Sequence, residues 1–319
     1  MATFYIKHLT KYNYSDKVID AANQIKLYPI NDNFQKVAHQ IIYINNTAPF
    51  IDTYLDFYNN LVGTFMIIEP HDFLSIESKV EVTTFPKSLP MDTADVSAQW
   101  NDLNNIKHHT DYIDFLMHRS FTGTQDVLNL LSTKDITTKT PFNILLELCD
   151  YIYNNFKYSP GITTVSTTLD ELWEIKAGVC QDFTNVLLQM VRMLGIPARY
   201  VSGYVFTNDE ITRGEGATHA WIEAYIPFYG WLGFDPTNNI IANENHIRLA
   251  VGKNYNDCSP VKGVFKGKVD DELIVKVSIS TTKDVDNSSH LTTEAEPDET
   301  INSFLKNKEI VQQQQQQQQ

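Results

Sequence analysis

The stretch GVCQDFTNVLLQMVRMLGIP, residues 178–197, decides the reading of this chain, and two runs downstream, THAWIEAY at 218–225 and GFDPTNN at 233–239, complete it. In the first, Phe183, Val186, Leu187, Met190, Val191 and Leu194 recur at the spacing of one helical face, and Gly195-Ile196-Pro197 stops the pattern. Cys180 lies three residues before Phe183, on the buried face at the first turn. Unpaired backbone N–H groups and the positive end of the helix dipole favour thiolate there. A cysteine ahead of an amphipathic helix is by itself more often a small core residue. Its meaning depends on what else the chain brings to it.

The second run alternates. His219, Trp221, Glu223 and Tyr225 fall on one face of a strand, and Ala220, Ile222 and Ala224 on the other. The third puts Trp231, Gly233 and Asp235 on one face. With Pro227–Gly230 as the connection, pairing of Ile226 with Gly230 sets Trp221 opposite Asp235 and makes His219 a diagonal neighbour of the aspartate. A slip of one residue would place them on opposite faces. In the expected register the imidazole can give its Nδ1–H to the carboxylate. A lone strand histidine or an Asp-Pro turn usually carries no chemistry. Together, however, Cys180, His219 and Asp235 supply a thiol nucleophile, its base and the group that orients the base.

Around these runs the chain changes character. Up to about residue 85 it is strand-rich: Leu74, Ile76, Val80 and Val82 alternate with Ser75, Glu77, Lys79 and Glu81, a half-buried strand. From about 90 to 157 the pattern is helical, with Phe142, Leu145, Cys149, Ile152 and Phe156 on one stripe before Pro160-Gly161, so Cys149 reads as inert packing. Thr168 and Glu171 form a capping-box pattern that opens a short helix, with Gly178 as its left-handed stop. Asp270, Asp271 and Glu272 read as a solvated turn before a strand over Leu273 to Ile279. The expected organisation is α+β. A β-rich module over 1–88 precedes a catalytic domain over 89–281 with a helical lead-in, in which the cysteine helix packs on an antiparallel sheet. Residues 282–319, polar and ending in eight glutamines, read as a disordered or appended tail.

Composition narrows the function. A chain of 319 residues with 42% hydrophobic content can bury a sizeable core, and a net charge of -14 argues against binding a nucleic-acid backbone. There is no run of 18 apolar residues to span a membrane and no leader-like N-terminus, so neither a membrane nor a nucleic-acid partner is expected. Three cysteines, Cys149, Cys180 and Cys258, at no framework spacing point to a reducing, cytoplasmic compartment. His108, His109 and His118 lack the companions of a metal site, so no metal or other cofactor is expected.

The segments GVCQDFTN, GIPARYVSGY (195–204), THAWIEAYIP and GFDPTNN resemble the transglutaminase-like superfamily, in particular the bacterial members described as transglutaminase-like cysteine proteases. The N-terminal module is similar to the β-rich region that precedes their catalytic domain. With LAVGKNYNDCSPVKGVFKG at 249–267, the resemblance takes in nearly all of 1–280. It implies a papain-like core with Cys180, His219 and Asp235 as the triad. This chain has Thr184-Asn185 where Ala-His is common, Asn59 where glycine is common in the N-terminal module, and Cys258 where an aliphatic residue is usual. The implied chemistry is attack of Cys180 on a peptide or glutamine amide carbonyl, with the Cys180 N–H facing the oxyanion. Tyr158, Gln181 and Trp221 are candidates for further oxyanion or substrate contacts. Water as acceptor gives a protease, peptidase or deamidase; an amine gives a crosslinking transglutaminase. A non-catalytic binding or scaffold module on the same fold is the alternative from another class. The partner is a peptide or protein substrate, and the oligomeric state is open.

Overall fold

The computed structural model describes residues 1–206 and 218–283 and the backbone of 292–293. Apart from 282–283 and that short strand, the expected tail lies outside the described residues. Two compact units emerge: Met1–Ala2, Asn31–Gln35 and Thr84–Cys258 form one, and Thr3–Ile30, Lys36–Thr83 and the chain from Ser259 onward form the other.

The second unit is built on the strand Ala2–Ile25, which pairs antiparallel with Asp271–Ser280 along its first half and with Leu61–Ile67 and Val261–Lys266 along its second. The expected alternation over 73–83 is present in the strand His71–Thr84, where Leu74, Ile76, Val80 and Val82 are buried. Asn59 has a φ of 63°, a left-handed geometry that asparagine tolerates. The boundary of the β module differs from the sequence expectation. Residues 261–280, placed by sequence in the catalytic domain, pair here with the N-terminal strand. Asp271 and Glu272, expected in a turn, already belong to that pairing, opposite Tyr14 and Asn13. Strand alternation shows that a segment is extended; it carries no information about which distant strand it joins.

The first unit carries the α+β core. Its five-stranded antiparallel sheet runs Ile240–Ile241, Gly230–Asp235, His219–Ile226, Ala198–Val205 and His246–Gly252 in spatial order. The helix Cys180–Met193 packs on one face through Phe183, Val186, Leu187, Met190 and Val191, meeting Ala220, Ile222 and Ala224 of the central strand. Each fully buried Leu, Ile or Phe there contributes about 1.5–3 kcal/mol, which fixes the helix start relative to the sheet. The helix ends as expected, with Gly195 at φ +78°. The helix Pro141–Asn155 adds Ile144, Leu145, Leu148, Cys149 and Ile152 to the same core. It stops at Phe156, already extended at φ -115°, four residues before the expected Pro160.

The helix Leu169–Ile175 opens with the expected capping box, Thr168 against Glu171. Its left-handed stop is Lys176 at φ 51°, however, and Gly178 does not have a positive φ. Gly178 is required for space: a Cβ there would lie 2.8 Å from Asp182 Cβ.

Candidate active site

Cys180 is the first residue of its helix, so its N–H has no intrahelical partner. The residue before it, Val179, is extended and offers no side-chain oxygen to cap the helix. The start is held from the other direction. Asp182, buried in the first turn, accepts the Val179 N–H at 2.8 Å and the Thr163 hydroxyl at 2.6 Å. Burial pushes its carboxyl upward, and those two hydrogen bonds oppose the shift. The absence of a side chain at Gly178 lets Asp182 reach this position.

The hairpin has the expected register: Gly230 pairs with Ile226 and Phe234 with Ile222, which sets Trp221 across from Asp235. His219 lies opposite Gly203 on the neighbouring strand, where a Cβ would crowd the Trp221 ring at 2.7 Å. His219 Nε2 lies 2.9 Å from Asp235 Oδ2, with both side chains almost wholly buried. The nitrogen differs from the one expected. Nε2 faces the carboxylate, leaving Nδ1, which is buried and has no partner of ordinary hydrogen-bond geometry. Cys180 nevertheless acts on the same ring through both charge and hydrogen bonding. Such loose thiol contacts are common in unliganded sites. Which nitrogen faces which partner depends on ring rotation, which strand alternation does not constrain.

Burial would lower the His219 pKa, but the Asp235 carboxylate, then Cys180, overturn this and push it up to about 10. Burial would likewise raise Asp235, and the His219 charge holds it well below the usual carboxylate range instead. Asp235 is also gripped by its own turn: Oδ1 accepts the N–H groups of Thr237 at 2.9 Å and Asn238 at 3.3 Å. Oδ2 takes the Asn238 side-chain amide at 2.9 Å besides His219.

Three of the residues that contact Asp235, Thr237, Asn238 and His246, were not singled out by sequence reading. Asn238 sits inside the quoted GFDPTNN run, where an Asx-type turn after Asp235 is the available signal. His246 is a second histidine whose Nε2 lies 3.5 Å from Asp235 Oδ2. No spacing links it to the motifs; the pairing of His246–Gly252 with Ala198–Val205 brings it in.

The three weaker candidates occupy different places. Tyr158 pairs with Gly178, two residues before the cysteine, and sets its ring edge-on to Phe183 at 6.3 Å. Gln181 adjoins Cys180 and is half-buried. Trp221 is fully buried, stacked on His219 and edge-on to His246 at 5.1 Å, with its Nε1 toward Gly233, so its place is that of packing beneath the two rings. Thr184 is buried with its hydroxyl unpaired. Cys149 and Cys258 are buried core residues, and burial raises the Cys149 thiol far above its ordinary value.

Further along, the sheet face that carries His219 buries Glu223. It accepts from Arg199 Nε at 2.8 Å and lies 3.5 Å from Arg248 Nη1. These cations outweigh burial and lower its pKa. Among the described residues no helix is long and apolar enough to cross a membrane.

Fold and site together define a papain-like cysteine-helix-on-sheet protein with a β-rich companion unit. The family model of the transglutaminase-like superfamily matches residues 131–236, and that of the bacterial transglutaminase-like N-terminal region matches residues 4–83. An uncharacterized protein of Mycobacterium bovis is 30% identical over 281 residues, 84% of this chain and 89% of its own length. A protein-glutamine gamma-glutamyltransferase of Pseudomonas aeruginosa is 29% identical over 90 residues, 27% of this chain and 14% of its own length. Among solved structures, a cysteine-protease candidate from Cytophaga hutchinsonii superposes with a TM-score of 0.69 at 20% identity, covering 93% of each chain. The chain belongs to the bacterial transglutaminase-like superfamily.

Proposed function

We propose that this protein catalyses thiol-dependent acyl transfer on peptide or glutamine amides, with hydrolysis as its main outcome. The observation that carries the reading is the buried imidazole of His219, hydrogen-bonded to Asp235 through one nitrogen and coupled electrostatically to Cys180. Cys180 attacks the amide carbonyl carbon as thiolate, and the imidazolium that holds its proton is stabilised by Asp235. Negative charge grows on the carbonyl oxygen beside the helix start, where the Cys180 N–H can donate to it. His219 then gives its proton to the leaving amine or ammonia as the C–N bond breaks. A water deprotonated by His219 hydrolyses the thioester and regenerates Cys180.

An amine in place of that water would give a crosslink, a reading favoured by the local match to the Pseudomonas aeruginosa glutamyltransferase. The test is ammonia and acid release from glutamine-containing peptides, with and without an added primary amine, for wild type and Cys180→Ala. Turnover in wild type that is lost in the variant supports the proposal. The split between acid and amide products separates hydrolysis from transfer. Equal rates in both proteins would remove Cys180 from the chemistry.

A further inference from the structure

The surroundings of Asp235 contain one feature that the proposed triad does not use: a second imidazole aimed at the same carboxylate oxygen. His246 is almost wholly buried, with Nε2 3.5 Å from Asp235 Oδ2, and its ring lies 6.5 Å from that of His219. The partners on the two sides of the ring together set its tautomer. The Asn243 backbone N–H donates to His246 Nδ1 at 3.2 Å, so Nδ1 must offer its lone pair. The Asn243 side-chain oxygen, 3.3 Å from the same nitrogen, takes the Asn245 N–H at 2.9 Å, and on the other side of the ring the ionised Asp235 carboxylate can only accept from Nε2. The proton of a neutral His246 therefore sits on Nε2 and points at Asp235. Burial also lowers the His246 pKa, which favours that neutral form.

Resting on the triad reading above, we propose that His246 is a positioning residue: a neutral imidazole that donates Nε2–H to Asp235 and limits how much of the carboxylate's charge reaches His219. Orientation alone does not require it, because the Thr237 and Asn238 donors already hold the carboxylate. A third donor on Oδ2 draws electron density away from the contact with His219. The imidazolium is then stable enough to form, yet acidic enough to protonate a leaving amine.

The other groups facing this trio do not duplicate that role. Cys180 acts on His219. Cys149, on the helix Pro141–Asn155, is a buried thiol that feels Asp235 and Asp150. His246 also lines a cavity of about 230 Å³ with Glu223, Arg199, Arg248, Asp32, Lys87 and Glu244. There Arg199 and Arg248 are engaged by Glu223 and Asp32.

The test is the pH dependence of Cys180 alkylation by iodoacetamide, read by peptide mass in the full-length protein. Its upper inflection reports loss of the His219 proton beside the thiolate. In His246→Leu that inflection moves up by about 0.5–1 pH unit, about half of the roughly 1–2 units that a hydrogen bond to a charged group is worth, because the loss reaches His219 through Asp235. His246→Gln, whose amide nitrogen reaches the place of Nε2, returns it to within about 0.3 unit of wild type. His246→Asn, whose amide sits at the place of Nδ1, does not. An unmoved inflection in His246→Leu, or equal inflections in the Gln and Asn variants, overturns the proposal. The Gln and Asn pair decides the matter if the leucine variant does not fold. Wild-type protein with no selective Cys180 alkylation would instead defeat the triad itself, which keeps the two failures distinct.

Discussion

Replacing Asp235 by asparagine changes one oxygen to an NH2 group, and the turn dictates which one. The N–H groups of Thr237 and Asn238 converge on Oδ1, so the oxygen of the new amide is retained there. The NH2 then occupies the Oδ2 position, 2.9 Å from His219 Nε2. A donor now faces that nitrogen, which must accept, and the ring proton moves to Nδ1, toward Cys180. In that tautomer His219 cannot take the thiol proton.

Charge is lost as well. Raising an imidazole from 6.5 to about 10 corresponds to roughly 5 kcal/mol in favour of imidazolium, and Asp235 is the main source of it. Wrong tautomer and lost charge together give a fall in turnover on the order of 10^3- to 10^4-fold, as when a triad aspartate is amidated. Ammonia release from glutamine peptides measures the rate. Alkylation of Cys180 against pH measures the cause: in the variant the reaction near neutral pH should fall toward that of an unactivated thiol. Turnover within tenfold of wild type, or an unchanged alkylation profile, would refute the reasoning.

The stability of the wild type relative to Asp235→Asn should depend on pH in a defined sense. Asp235 has a depressed folded pKa, so its contribution is present above about 3.8 and is lost as the pH falls below that value. His219 has a raised one, so its contribution is complete below about 6.5 and fades as the pH rises through about 10. Urea midpoints should therefore differ most between about pH 4 and 6.5, and a difference growing toward pH 10 would reverse the sign. Cys180→Ala should melt within about 2 °C of wild type, since it removes one sulfur at a half-buried site, while losing all turnover. Asp182→Ala should cost about 1–3 kcal/mol in urea unfolding and slow Cys180 alkylation, because it orphans the Val179 N–H and frees the Thr163 loop. Glu223→Gln should cost about 3–5 kcal/mol without moving the alkylation profile, since it breaks a buried pair away from the cysteine.

What could be read in the sequence was local. The helix stripe from Phe183 to Leu194 and the alternation around His219 each span a few residues whose periodicity is imposed by backbone geometry. The short connection between them and Asp235 left few registers open, and the one that keeps His219 and Asp235 on a common face is the one found. Details one atom finer were not legible, such as which nitrogen meets the carboxylate, because side-chain rotation leaves no mark on spacing. Nor were contacts that depend on distant pairing. His246 reaches Asp235 only because the last strand of the sheet adds beside Ala198–Val205. The strands at 261–266 and 271–280 close on the N-terminal strand, more than 230 residues away in sequence. The left-handed stop fell on Lys176 and not on Gly178, whose missing side chain instead leaves room for Asp182.

The most direct test of the proposed chemistry is the rate of Cys180 alkylation by iodoacetamide at neutral pH, compared between wild type and His219→Ala. Greater access than the buried Cys149 and Cys258 would by itself give Cys180 some preference, so the histidine variant is the deciding comparison. If His219 and Cys180 form a working pair, wild-type Cys180 reacts well before the other two, and the rate collapses toward that of an ordinary thiol in His219→Ala. Cys180 reacting at the same rate with and without His219 would contradict the pairing on which the proposed acyl transfer depends.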